Sequence, residues 1–217
     1  MNTVLNSKTV ALVVALLIVL AADQTATAGP IFTFGFTDIT GVYDGATTWS
    51  MTPDSNTTGD VTRDIPATGT ASYLPDFTGG TADFALTMQV AMIDATHYSG
   101  DGSFIVTDAD GDTITGDISG VWTKFATTGI FGGDLTNVWM NELGDGIFEG
   151  PSGGSFDMDF SPAPEPYIGG LTVIEIAGWF GSAFTDPDAL TTATMIPEPV
   201  TLTLVAFSGM MLLRRRR

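Results

Sequence analysis

The 217-residue sequence contains no cysteine, a single histidine, and only seven basic residues against 25 acidic ones. Each shortage removes a class of explanation. Without cysteine there is neither a disulfide framework nor a thiolate metal site, so a packed core or bound ions must hold the fold. With His97 alone, a zinc centre built on several histidines is excluded, and any Ser-His-Asp arrangement would rest on one residue at a strand end. The Gly-x-Ser-x-Gly elbow, the phosphate loop and the dinucleotide fingerprint are all missing. Outside the two termini no stretch carries a 3.6-residue apolar period.

The few cations are placed against nucleic-acid binding. Lys8 and Arg214, Arg215, Arg216 and Arg217 lie near the chain ends, leaving Arg63 and Lys124 to face 24 acidic residues between Gly29 and Pro199, a formal charge of −22. Such a surface repels nucleic acid and anionic lipid, keeps a domain in solution and attracts divalent cations.

What is present begins with two apolar ends. Lys8, the run Val10–Ala22 and the small-x-small triplet Ala26-Thr27-Ala28 read as a secretory signal peptide over 1–28, cleaved before Gly29. At the other end Pro197-Glu198-Pro199 precedes 14 residues without charge, Val200 to Leu213, and then the four arginines. As a helix that run spans about 21 Å at ~1.5 Å per residue, short of a hydrocarbon core of ~30 Å. Arginine stems can snorkel, and four adjacent cations resist translocation, so the helix would lodge with Arg214–Arg217 on the cytoplasmic side. The two prolines keep the chain extended at the outer face, where a protease could read it.

Pro197, Glu198 and Pro199, the short apolar helix and the arginine cluster, in that order over 196–217, resemble the PEP-CTERM sorting signal of exported bacterial proteins. Val200 stands where a small residue is more usual, and Ser208-Gly209 supplies only part of the usual glycine-rich centre. The resemblance implies processing by exosortase, a membrane-embedded transpeptidase-like enzyme, and a frequent link of carriers to exopolysaccharide. It leads us to expect delivery by the Sec translocon, a transient stay in the inner membrane, and release to the cell surface or extracellular matrix. The expected role is structural or adhesive and not enzymatic, with a carbohydrate-binding or carbohydrate-active module as the alternative. A second triplet, Pro164-Glu165-Pro166, lacks the arginines and reads as a loop.

Between the ends, period-two alternation dominates. Ile31-Phe-Thr-Phe-Gly-Phe36 places Phe32, Phe34 and Phe36 on one face. A short strand fits near Thr47–Met51, within a loop-rich region from Thr40 to Pro75. Phe84, Leu86, Met88, Val90 and Met92 share one side of a long strand. Ser103–Thr107 and Thr113–Ser119 flank an acidic turn, with Asp110-Gly111 supplying a positive-φ pair for a two-residue hairpin turn. Gly116-Asp-Ile-Ser-Gly-Val-Trp122 is echoed 17 residues later by Gly133-Asp-Leu-Thr-Asn-Val-Trp139, a spacing that fits two neighbouring strands. Phe156, Met158 and Phe160 alternate with outward aspartates, and Leu171–Phe180 reads as the closing strand. Seven or more short strands without helical crossovers predict one all-β antiparallel domain over 29–180, a sandwich or an up-and-down barrel. Residues 181–195, rich in Thr, Ala and Asp, read as a flexible stalk, with Thr191, Thr192 and Thr194 as candidate glycan acceptors.

Three chemical candidates remain. Asp108, Asp110 and Asp112 alternate around Gly111 and offer hard oxygen ligands for calcium. An EF-hand is rejected, because no glycine follows the third aspartate and Ser119 holds the twelfth position; Asp101, Asp117 or Glu142 could complete a nonstandard site. Trp122, Trp139 and Trp179 could form a sugar-stacking surface, although inward core packing is the expected role. Paired carboxylates suited to glycoside hydrolysis can be drawn anywhere in so acidic a chain and single out no residue.

Overall fold

The computed structural model describes residues 31–65, 67–160 and 165–196. The signal segment 1–28, Pro197-Glu198-Pro199, the apolar run Val200–Leu213 and Arg214–Arg217 lie outside the described residues. The alternating stretches become strands: β1 (Phe32–Tyr43), β2 (Thr48–Thr52), β3 (Thr58–Arg63), β4 (Gly69–Tyr73), β5 (Asp83–Met92) and β6 (His97–Thr107). They continue as β7 (Thr113–Phe125), β8 (Thr128–Asn141), β9 (Ile147–Glu149), β10 (Ser155–Asp157), β11 (Gly170–Ile176) and β12 (Phe184–Met195). Among the described residues the only helical piece is a single 3-10 turn, Phe77–Gly79.

Eight strands close on themselves. The wall runs β1, β2, β5, β6, β7, β8, β11, β12 and returns to β1, every neighbouring pair antiparallel. Each wall strand adjoins its predecessor in the chain, so of the two architectures the sequence allows, the molecule is an up-and-down barrel. The hairpins β3–β4 and β9–β10 are insertions into that meander. β1 makes the first possible by dividing one edge: Thr40–Tyr43 pair with β2, while Phe32–Thr37 pair with β3. The division falls beside Asp38, whose φ of 54° puts it in the left-handed region.

The expected stalk is a correction. Residues 184–195 form β12, which pairs with β11 on one side and β1 on the other and so seals the barrel. Its polar, small-residue composition hides a period-two pattern in which Ala189, Thr191, Ala193 and Met195 point inward. Small inward residues suit this strand because its partner β1 carries the bulk, with Phe34 opposite Ala193. Thr191 is therefore buried and offers no surface for a glycan.

Both ends of the described barrel leave at the same rim. Phe32 pairs with Met195, and the Ile31 N–H donates to the Met195 carbonyl at 2.9 Å. The strand directions bring the β6–β7 turn and both inserted hairpins to this rim.

The interior is filled with rings. Phe36 packs on Phe84 (4.7 Å between centroids) and Phe34 on Phe104 (5.1 Å), and toward the opposite rim Trp122 meets Phe131 (5.3 Å), Phe180 (5.2 Å) and Trp49 (5.9 Å). An eight-stranded barrel has room for side chains or one small ligand, and here aromatic side chains take that room. Threonines, serines and acids dominate the outside. Apolar-in and polar-out is the reverse of a lipid-facing barrel, so a functional surface must be sought on the outer wall or at the rims.

Candidate functional site

The repeated heptapeptide builds the most distinctive outer feature. In β7, Ile118 and Trp122 point inward while Asp117, Ser119 and Val121 point out. In β8 the same pattern starts identically, with Leu135 inward, but a bulge intervenes: Thr115 pairs with Trp139 and Asp117 with Thr136, so Asn137 and Val138 together oppose Gly116 alone. Asn137 takes φ 50°, a left-handed conformation that asparagine tolerates better than most residues. One extra residue exchanges the two faces of a strand. Val138 accordingly turns inward and Trp139 outward, 44% exposed, whereas Trp122 is fully buried. Val138 is held there by a two-way backbone bridge, donating to the Tyr167 carbonyl at 3.0 Å and accepting from the Tyr167 N–H at 2.8 Å. The expectation that Trp139 packs in the core is thus overturned by a register change within its own strand.

Below Trp139 the outer wall forms a groove of about 510 Å³ across β5, β6, β7 and β8. One cross-strand row is Ala85, Ile105, Thr115 and Trp139; the next is Thr87, Ser103, Asp117 and Thr136. The first row supplies apolar surface and an indole, and the second supplies hydroxyls and a carboxylate. Asn137, displaced by the bulge, donates its side-chain N–H to Asp117 Oδ2 at 2.6 Å and fixes that carboxylate against the wall. Among the described residues no polar contact ties Trp139 down, and its indole stands beside the row that carries the Asp117 carboxylate.

The acidic turn also comes together. Asp108, Asp110 and Asp112 each place a carboxylate oxygen within 4.8 Å of the other two, without Asp101, Asp117 or Glu142 joining them. The hairpin is as expected but its turn is longer, residues 108–112, closed by the Asp108 N–H donating to the Asp112 carbonyl at 3.0 Å. Gly111 takes the positive φ, and Asp110 does not. Asp108 and Asp112 are fully buried and Asp110 is exposed.

Both buried carboxylates accept backbone amides. Asp108 Oδ1 receives the N–H groups of Asp110, Gly111 and Asp112 at 3.1, 2.8 and 2.9 Å, and Oδ2 that of Glu149 at 2.8 Å. Asp112 receives the amides of Gly144 and, at 2.9 Å, Gly146. Burial pushes the Asp108 carboxyl above the usual carboxylate range, against the amides that favour its ionised form. The arrangement can pin the β8–β9 connection and β9 onto the β6–β7 turn, and the exposed Asp110 gives it one carboxylate open to solvent.

The remaining candidates are dispersed. His97 opens β6, and its Nδ1 lies 2.9 Å from Asp94 and 3.2 Å from the Thr96 hydroxyl, a set of contacts local to the exposed β5–β6 turn. Trp122 donates its indole N–H to Met88 Sδ at 3.2 Å inside the barrel. Trp179, at the far rim, is half-buried under Lys124, whose Nζ lies 5.7 Å from the ring centre, and against Tyr98. The three tryptophans considered as one surface are thus apart: Trp139 on the outer wall, Trp179 at the far rim and Trp122 inside the barrel. No reasoning from alternation alone could have found the Asp117–Asn137 pair, though the asparagine in the second copy of the heptapeptide, where the first has Gly120, marks the departure. Comparison with known protein families, with curated proteins and with solved structures finds no match for this chain, so its site is judged on geometry alone.

Proposed function

We propose that this chain is an exported bacterial surface or matrix protein, sorted through Pro197, Glu198 and Pro199 by an exosortase-like enzyme and structural or adhesive in its role. The observation that carries the reading is the ordered C-terminal signature: triplet, short apolar run, then Arg214–Arg217. The barrel is compatible with it in two respects. It is held by a dense aromatic core, with no cysteine, and so needs no disulfide to persist outside the cell. Its ends leave together at Phe32 and Met195, so the flanking segments can be removed without interrupting any wall strand. Export proceeds through the Sec translocon, with the apolar helix as a transient inner-membrane tether and exopolysaccharide as the neighbouring matrix.

The test is the intact mass of the protein recovered from its own cells, with and without the double change Pro197→Ala/Pro199→Ala. A wild-type form beginning at Gly29 and ending near Pro199, lost in the double variant, is the expected result. A wild-type chain still ending at Arg217 would show a tail-anchored protein instead.

A further inference from the structure

We infer that the groove beneath Trp139 is a binding site for a neutral polysaccharide, with Trp139 as the stacking residue and Asp117, set by Asn137, as the hydroxyl acceptor. The inference goes beyond sorting and does not depend on it, because it stands on the outer wall of the barrel alone.

Three observations converge on it. First, the wall reverses its own pattern at this place. The strand that would bury its tryptophan, as the sister copy buries Trp122, is bulged at Asn137 so that Trp139 faces solvent at 44% exposure. A non-glycine residue in the left-handed region has an energetic cost, and the Val138–Tyr167 bridge fixes it. Exposing a large indole has a cost too. Neither is needed to close the barrel, since β7 does without both.

Second, the chemistry beside the indole is that of a sugar ring. A pyranose offers an apolar face of C–H groups and a rim of hydroxyls. The groove answers with an apolar strip, Trp139 and Ile105, next to a polar strip, Asp117, Ser103 and Thr87, aligned on consecutive cross-strand rows. A carboxylate whose one oxygen is occupied by the Asn137 amide keeps its other oxygen oriented for sugar O–H donors. Indoles engage such C–H faces through the negative face of the ring.

Third, charge selects among glycans. Among the described residues the only charged side chain lining the groove is Asp117, and the region from Gly29 to Pro199 carries a formal −22. Uronate, sulfate and phosphate groups are repelled, which selects against acidic glycans, and the Ile105 and Trp139 strip favours the uncharged ring faces of neutral ones. The groove is open along the wall and lies across four strands, so an extended chain fits it better than a free monosaccharide.

The experiment uses the full-length chain in a sugar-free zwitterionic detergent, titrated with cellohexaose, laminarihexaose, maltohexaose and mannohexaose, with polygalacturonate as the anionic control. Tryptophan emission and calorimetry are the readouts. Saturable binding of at least one neutral hexasaccharide is expected, weakened at least tenfold by Trp139→Ala and by Asp117→Ala, and not competed by polygalacturonate. Trp139 and Asp117 are both on the outer wall, so unchanged thermal unfolding of the variants separates lost binding from lost folding. Asn137→Gly, which keeps the bulge and removes the amide, should weaken binding less than Trp139→Ala. Failure of all four sugars to bind, or binding that Trp139→Ala leaves intact, overturns the inference. So does a dimer dissolved by Trp139→Ala in the absence of sugar binding, which would assign the wall to a second copy of the chain. Each of these outcomes is independent of where the chain is cleaved.

Discussion

Arg63 lies with its guanidinium carbon 4.7 Å from the centre of the Phe160 ring, and its N–H groups face main-chain carbonyls: Ile65 at 3.3 Å, Asp159 at 2.8 Å, and Asp157. Only 5% of this arginine is exposed. It ties the end of β3 to the segment after β10, and Phe160 in turn packs on Phe32 of the wall. Arg63→Met retains much of the stem and removes every side-chain donor, leaving three main-chain carbonyls without the guanidinium. We expect a loss of about 3 kcal/mol in urea unfolding, with the segment following β10 becoming sensitive to protease. A loss below about 1 kcal/mol would show that water replaces the guanidinium freely.

A second prediction concerns space inside the barrel. A Cβ added at Gly41 would sit 2.2 Å from the indole of Trp49, which is fully buried at the centre of the far ring cluster. The indole has no free direction in which to retreat. Gly41→Ala should cost about 2 kcal/mol, as overpacking does, and should shift the near-ultraviolet circular dichroism of the tryptophans. An unchanged midpoint and spectrum would contradict this packing.

The acidic turn gives a prediction that separates amide latching from ion binding. Asp112→Ala strands the amides of Gly144 and Gly146, at a cost of about 2 kcal/mol. Because the lost partners are amides, the cost should be the same in EDTA and in millimolar calcium. A cost that appears only with calcium would mean that Asp108, Asp110 and Asp112 hold an ion.

Acid stability follows from groups shifted in opposite directions. Asp94 is held down at about 2, first by the Thr96 amide and then by His97, and Asp44 and Asp54 are also lowered, chiefly by the backbone amides of Thr48 and Asn56. A lowered folded value means stability that is present above the unfolded value of 3.8 and lost as pH falls toward 2. Asp108 and Glu165 are raised, mainly by burial. They bind protons more tightly when folded, so acidification relieves their burial and opposes the loss. Asp94→Asn should therefore flatten the fall in unfolding free energy between about pH 4 and about pH 2, while Asp108→Asn should steepen it. A parallel fall in wild type and Asp94→Asn would contradict the assignment.

Removal of β12 is the severest test of the architecture. A chain ending at Ser182 keeps the whole 29–180 span expected to be the domain, yet it leaves the inner edges of β1 and β11 unpaired. Such open edges associate, so this truncation should aggregate, whereas a chain ending at Ile196 should unfold cooperatively. A soluble, cooperative product ending at Ser182 would restore the stalk.

Much of the wall was legible because alternation is a direct image of a half-buried strand. Phe32, Phe34, Phe36 and the Phe84–Val90 series face inward as period two puts them, as do Phe156, Met158 and Phe160 outside the wall, whereas Met92, expected on the same side as Val90, is exposed at the end of β5. β12 was not legible, since Ala189, Thr191 and Ala193 are inward for fit and not for hydrophobicity, and composition alone looks like loop. Trp139 was misread for the opposite reason. It was expected in the core as large aromatics generally are, but the single left-handed residue Asn137 changes the face of everything after it. Asp108 and Asp112 were found as a cluster, but their partners outside the turn are amides 32 to 41 residues further along the chain, which no local spacing can show.

The pairing of Phe32 with Met195 also sets an order in time. β1 is among the first parts of the domain to be synthesised, and its neighbour β12 is the last of the described strands to be made. The barrel therefore cannot close during synthesis, and until Met195 emerges the long Phe-rich strand waits with one edge open. Pairings of such sequence separation form slowly.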